Sequence, residues 1–136
     1  MRLRLTRAYT WVASIGLFLQ GTSTLIARLV PAVDRAIPAL LQETKMIPSH
    51  SVLHIASGLI GFALLAYGGE AGPRRFALGF GLFYVALAIA GAVSGHHFGI
   101  GLQPFDHSFH AALGGAGLLA VIAESILGPK ASGRDA

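Results

Sequence analysis

The segment PSHSVLHIASGLIGFALLAY, residues 48–67, determines how the chain can fold. It contains no Asp, Glu, Lys or Arg. A helix of about 20 predominantly apolar residues spans the hydrocarbon core of a bilayer. Pro48 suits the first turn of a helix, and Gly68 and Gly69 favour a stop after it. The segment therefore predicts a membrane-spanning helix over about residues 49–67.

Three further segments show the same pattern, over about residues 9–30, 75–93 and 106–127. Of the 136 residues, 54% are hydrophobic and only 12% are charged, and the mean hydropathy is +0.66. Soluble domains carry about 25% charged residues, and a soluble chain of this length could not bury so much apolar surface in one core. We therefore predict an all-α fold in which residues 1–136 form a single integral membrane domain, a four-helix bundle with the lipid bilayer as its solvent.

Two segments at the edges of these spans need separate interpretation. The basic N-terminus and the first apolar run resemble a signal peptide, but the run is long and no Ala-x-Ala pattern ends it, so we expect a retained helix. Between the first two spans, apolar and polar residues alternate over about residues 32–43, which are too few and too polar to span. This segment predicts a short interfacial helix in the first outer loop.

The basic residues predict the orientation of the bundle. If all four segments span, seven basic residues lie on one side of the membrane and three on the other. Cytoplasmic loops carry the excess of Lys and Arg, so we expect both termini in the cytoplasm. The net charge of +4 then indicates topology, and we expect no nucleic-acid partner. The larger set is Arg2, Arg4, Arg7, Arg74, Arg75, Lys130 and Arg134, and the smaller set is Arg28, Arg35 and Lys45.

The second and fourth segments begin alike. Residues 48–61, PSHSVLHIASGLIG, align with residues 104–117, PFDHSFHAALGGAG, so that a proline, a histidine and two glycines coincide at an offset of 56. The first and third segments share Gly-Leu-Phe at residues 16–18 and 81–83, at an offset of 65. The pattern predicts two tandem hairpins, each a plain helix followed by a His-x3-Gly-x2-Gly helix.

All six histidines fall on the outer side of the predicted bundle. His50 and His54 are four residues apart and His107 and His110 are three apart, so each pair shares one face of its helix. Polar residues within a membrane span are candidates for function. We keep three hypotheses open: hydrogen bonds between helices, a zinc or copper site, and a b-type haem. The candidate metal ligands are His50, His54, His96, His97, Asp106, His107 and His110.

The haem hypothesis uses His54 and His110 as axial ligands, with Gly58 and Gly114 one turn deeper leaving room for the porphyrin. The glycines also have a simpler interpretation, because small residues at helical spacing let membrane helices approach closely. Gly58 and Gly114 are therefore candidates under both interpretations. The candidate packing positions are Gly58, Gly61, Gly91, Gly95, Gly114 and Gly117.

Known catalytic patterns do not occur in the sequence. The absence of cysteine excludes disulfides, thiolate metal sites and cysteine nucleophiles. The sequence has no phosphate-binding loop, dinucleotide fingerprint or nucleophile elbow. We therefore predict no catalytic residue and do not expect an enzyme acting alone.

The Leu53-His54 phrase with Gly58 and Gly61 resembles that of a family of small four-helix bacterial integral membrane proteins of unknown function. The resemblance covers most of residues 48–127, and in the second copy a phenylalanine replaces the leucine. The architecture is also similar to that of DoxX-like proteins, some of which are subunits of quinone-linked oxidoreductases. These resemblances imply a multi-pass protein of the bacterial inner membrane. We expect an accessory subunit that packs against other membrane subunits or self-associates; the alternatives are a haem or metal module and a quinone-linked component.

Overall fold

The computed structural model describes residues 4–36, 46–95 and 98–127. Four of its helices are long and apolar enough to cross a membrane, which confirms the prediction of an all-helical, four-helix bundle. A 3-10 turn, Gly69–Ala71, joins the second and third long helices. The helices are α1, Leu5–Leu29; the short α2, Pro31–Ala36; α3, Pro48–Tyr67; α4, Gly72–Ser94; and α5, Pro104–Leu127.

The helix ends differ from the predicted bounds for identifiable reasons. α1 begins at Leu5 and not near residue 9, because the Glu124 carboxylate accepts hydrogen bonds from the backbone N–H and the hydroxyl of Thr6. A side chain from the last turn of α5 thus satisfies one of the free N–H groups at the start of α1. α4 begins at Gly72 and has a proline in its first turn, where the missing N–H costs nothing. Of the predicted interfacial helix, residues 32–36 lie in α2, Pro31–Ala36, and residues 37–43 lie outside the described residues.

The long helices form two hairpins that pack against each other. α1 packs most extensively on α3, and α4 on α5, while fewer contacts join α1 to α5 and α3 to α4. The first turn of α1 and the last of α5 meet at one end, where Arg4 also pairs with Glu70. α1 therefore runs opposite to its neighbour α5. Outward-facing side chains such as Val12, 73% exposed, and Val93, 83% exposed, are apolar, as lipid contact requires.

Glycines bring the backbones within each hairpin into direct contact. A Cβ added at Gly58 of α3 would lie 2.8 Å from the carbonyl oxygen of Ser14 in α1. A Cβ added at Gly114 of α5 would lie 2.8 Å from the carbonyl oxygen of Gly81 in α4. These separations leave no room for a side chain, so glycine is required at both positions. The hairpins are held by close approach of helices, as expected in lipid.

The other candidate packing glycines divide into two groups. Gly61, Gly117 and Gly91 leave space for the rings of Phe76, Tyr9 and His107, respectively. Among the described residues, no atom lies within 4 Å of a Cβ added at Gly95, so they show no helix contact at this position. Gly95 adopts φ +64° and ends α4 in the left-handed conformation that glycine tolerates best.

We predict that Gly58→Ala and Gly114→Ala each lower the free energy of unfolding by about 1–3 kcal/mol, because the added methyl group forces the helices apart. Gly16→Ala is the matched control, since nothing lies within 4 Å of its added Cβ. This variant should be neutral or slightly stabilising, because alanine favours the helix over glycine. Loss of helical circular dichroism on denaturant titration in detergent measures all three. Equal stability of the Gly58 variant and the control would contradict the assigned contact.

Candidate metal centre

Three histidines from two helices converge near one end of the bundle. His50 and His54 lie one turn apart on α3, so the helix presents both rings on the same face, and His110 projects from α5. The ring centroids are 4.7 Å apart for His50 and His54, 5.5 Å for His50 and His110, and 5.9 Å for His54 and His110. One nitrogen from each ring can be chosen so that all three lie within 4.8 Å of one another. We call these residues the histidine trio.

The trio is fully buried and unsatisfied. The side chains are at most 1% exposed, and both ring nitrogens of each have no hydrogen-bond partner among the described residues. A buried polar group without a partner costs about 1–3 kcal/mol, so six such nitrogens in one cluster need an explanation. Packing in the core does not explain the three histidines, because a leucine would fill the same volume without this cost.

Two polar residues flank the trio. The Tyr84 ring of α4 lies edge-on to His110 at 4.7 Å and at 6.2 Å from His54, and its hydroxyl is 3.4 Å from the Ser57 hydroxyl. On the other side, a carboxylate oxygen of Asp106 lies 4.0 Å from Nδ1 of His50. The same carboxylate oxygen accepts a hydrogen bond of 2.7 Å from the backbone N–H of Gln103, which fixes Asp106 at the start of α5.

The structure brings together only some of the predicted ligands. His50, His54 and His110 form the trio, and Asp106 adjoins it. The remaining described candidate, His107, packs on Gly91 and is not among the three clustered histidines, although its Nδ1 is also buried without a partner. His96 and His97 lie outside the described residues.

Sequence reasoning did not connect Tyr84 with the histidines. It is completely buried and contacts two of the three rings. The available signal was that Tyr84 is the one tyrosine well inside a predicted span. Its helix carries none of the trio, so the spacing of the histidines could not indicate the contact.

The arrangement fits a single metal ion better than haem. Two nitrogens bound to one tetrahedral Zn²⁺ at 2.0–2.1 Å are about 3.3 Å apart, so nitrogens that now lie within 4.8 Å of one another need to approach by at most about 1.5 Å. Haem between His54 and His110 needs an open slot, yet the His50 ring lies against both. The space beside Gly58 and Gly114 is also filled, by α1 and α4.

Comparison with protein-family models, curated proteins and solved structures finds no match to this chain.

We predict that His54→Leu stabilises the metal-free protein by on the order of 1 kcal/mol, because it removes two unsatisfied nitrogens while filling the cavity. His54→Gln is the matched control, since it keeps polar atoms buried at the same position and should give no gain. The measurement is denaturant unfolding in detergent with excess chelator. A His54→Leu variant less stable than the unsubstituted protein would show that the ring has partners that offset its burial.

Proposed function

We propose that this membrane protein binds one transition-metal ion, Zn²⁺ or Cu²⁺, through His50, His54 and His110. The observation that supports the proposal is that one nitrogen from each of the three buried rings lies within 4.8 Å of the others, and none of these nitrogens has a hydrogen-bond partner among the described residues. Neutral imidazole is a good ligand for both metals. Coordination would use one lone pair on each ring and so offset part of the cost of burying it.

The site lies within the membrane-spanning helices, at one end of the bundle. The trio lies in the first turns of α3 and α5, at the end of the bundle opposite to Arg4 and Glu70. Ligands come from both hairpins, so a bound ion would link them. Three protein ligands would leave one tetrahedral position for water or another group.

We predict that purified protein binds one Zn²⁺ or Co²⁺ per chain, and that His54→Ala or His110→Ala weakens binding by more than about 100-fold, beyond the usual effect of an outer-sphere group. Metal analysis and calorimetric titration in detergent measure stoichiometry and affinity. His107→Gln is the matched control, because it changes a histidine of α5 outside the trio and should leave the affinity unchanged.

The same preparation tests the haem hypothesis. A Soret band that disappears in the His54→Ala variant would contradict the metal proposal and establish haem. A colourless preparation that takes up no stoichiometric metal would contradict both. The hypothesis of a quinone-linked oxidoreductase component stays a prediction.

We propose further that the protein lies in the bacterial inner membrane with both termini in the cytoplasm. The excess of basic residues near the two termini and the α3–α4 connection supports this orientation, which places the trio near the periplasmic surface. A reporter enzyme active only in the periplasm should be inactive when fused after Ala136. High activity of that fusion would reverse the orientation.

A second candidate function is that of an accessory subunit, and it is compatible with metal binding. Gly16 of α1 and Gly79 of α4 face outward with nothing within 4 Å of an added Cβ. Small residues on an outer face let another membrane helix pack closely. On mild-detergent native gels we expect a complex larger than the monomer, and Gly79→Leu should weaken this complex. Leu78→Ala, which changes an exposed neighbouring residue, is the control. Migration of the native protein as a lone monomer would exclude this role.

A further inference from the structure

The two hairpins make corresponding contacts. Within the first hairpin, Gly58 of α3 lies against Ser14 and Phe18 of α1. Within the second, Gly114 of α5 lies against Gly81 and Val85 of α4. An offset of 56 residues relates the two glycines, and an offset of 67 relates both of their partners. The residues of one helix pair therefore correspond to those of the other. The offset between α1 and α4 is 67 residues in the structure, whereas the sequence comparison predicted 65.

Contacts between the two hairpins follow the same two offsets, with the roles of the hairpins exchanged. The Tyr9 ring of α1 lies against Gly117 of α5, and the Phe76 ring of α4 lies against Gly61 of α3. Tyr9 corresponds to Phe76, and Gly61 to Gly117. Exchanging α1 with α4 and α3 with α5 thus reproduces the packing, which is the property of a two-fold axis. Tyr9 and Phe76 lie beside each other, at 6.5 Å between ring centroids, as a pair related by that axis should.

The same correspondence applies to the candidate metal centre. His54 and His110 correspond, and their rings are 5.9 Å apart across the axis. The residue that corresponds to His50 is Asp106, and these two side chains also meet, at 4.0 Å. Three of four equivalent positions around the axis therefore carry the trio, and the fourth carries a carboxylate.

A carboxylate is favoured as the fourth ligand because its negative charge would lower the net charge of the site. Three neutral imidazoles leave the full double charge of the ion in a medium of low polarity, which is costly. Carboxylate oxygen is a common ligand of Zn²⁺ at about 2.0–2.2 Å, alongside histidine. Asp106 is only 16% exposed at its side chain and belongs to the helix that supplies His110.

We propose that Asp106 is the fourth ligand, so that the ion lies near the two-fold axis in a closed site of three histidines and one aspartate. This inference rests on the proposed metal-binding function. It changes the expected chemistry, because a site with four protein ligands has no open position for substrate. Such a site stores or senses a metal ion, or uses it to join the two hairpins, and does not activate water.

The test compares Co²⁺ binding by the unsubstituted protein, Asp106→Asn and Asp106→His, using visible absorption and calorimetric titration in detergent. Asparagine can still accept the Gln103 N–H bond, so unfolding in chelator should be unchanged in Asp106→Asn. We expect its Co²⁺ affinity to fall by about 100-fold or more and its visible bands to change in intensity, because the ligand set changes. Asp106→His restores a ligand at this position without its negative charge, so its affinity should lie between those of the unsubstituted protein and Asp106→Asn.

The outcomes separate this inference from the function on which it rests. If the unsubstituted protein takes up no Co²⁺, Zn²⁺ or Cu²⁺, the proposed function is wrong. If it binds Co²⁺ and Asp106→Asn shows the same affinity and spectrum, the trio binds metal without Asp106 and the fourth-ligand proposal is wrong. If Asp106→Asn does not fold, the Cu²⁺ electron paramagnetic resonance spectrum of Asp106→His decides. Four coupled nitrogens would support the proposal, and three would overturn it.

Discussion

Direct contact between helix backbones is the constraint on which this structure depends. In lipid there is little hydrophobic force between helices, so close packing holds them together. Gly58 against Ser14 and Gly114 against Gly81 bring each hairpin to that limit. Between the hairpins, α1 packs on α5 and α3 on α4, whereas α3 and α5 lie farther apart and meet through side chains. Imidazole rings fill this wider space at one end of the bundle.

The histidine trio is costly as a set of core residues and useful as a set of ligands. Each ring could be replaced by an apolar side chain of similar volume, and the fold would lose no hydrogen bond among the described residues. Aromatic packing adjoins the trio, with Tyr84 stacked on Phe80 at 4.1 Å. The fold therefore does not require the imidazoles, and the proposed metal binding would satisfy one nitrogen of each ring.

The sequence was informative where lipid imposes simple rules. Four apolar segments of sufficient length predict four spans, and a spacing of four places His50 and His54 on one face. The convergence with His110 could not be predicted, because it depends on which helices face each other. The early start of α1 depends on Glu124, which is 118 residues from Thr6. Tyr84 joins the site from a helix that carries no histidine.

Some packing positions are the same in the two hairpins, whereas the polar positions differ. Gly58 and Gly61 recur as Gly114 and Gly117, since a side chain at any of these positions would separate packed helices. Polar positions differ: Thr24 and Ser51 share a hydrogen bond in the first hairpin, and the corresponding Gly91 and His107 are in contact in the second. Buried Leu17 corresponds to Tyr84. A symmetric ring of four histidines would hold a metal ion without reducing its charge, whereas one aspartate in that ring lowers the charge. The difference between His50 and its counterpart Asp106 is thus the one that the proposed metal site would use.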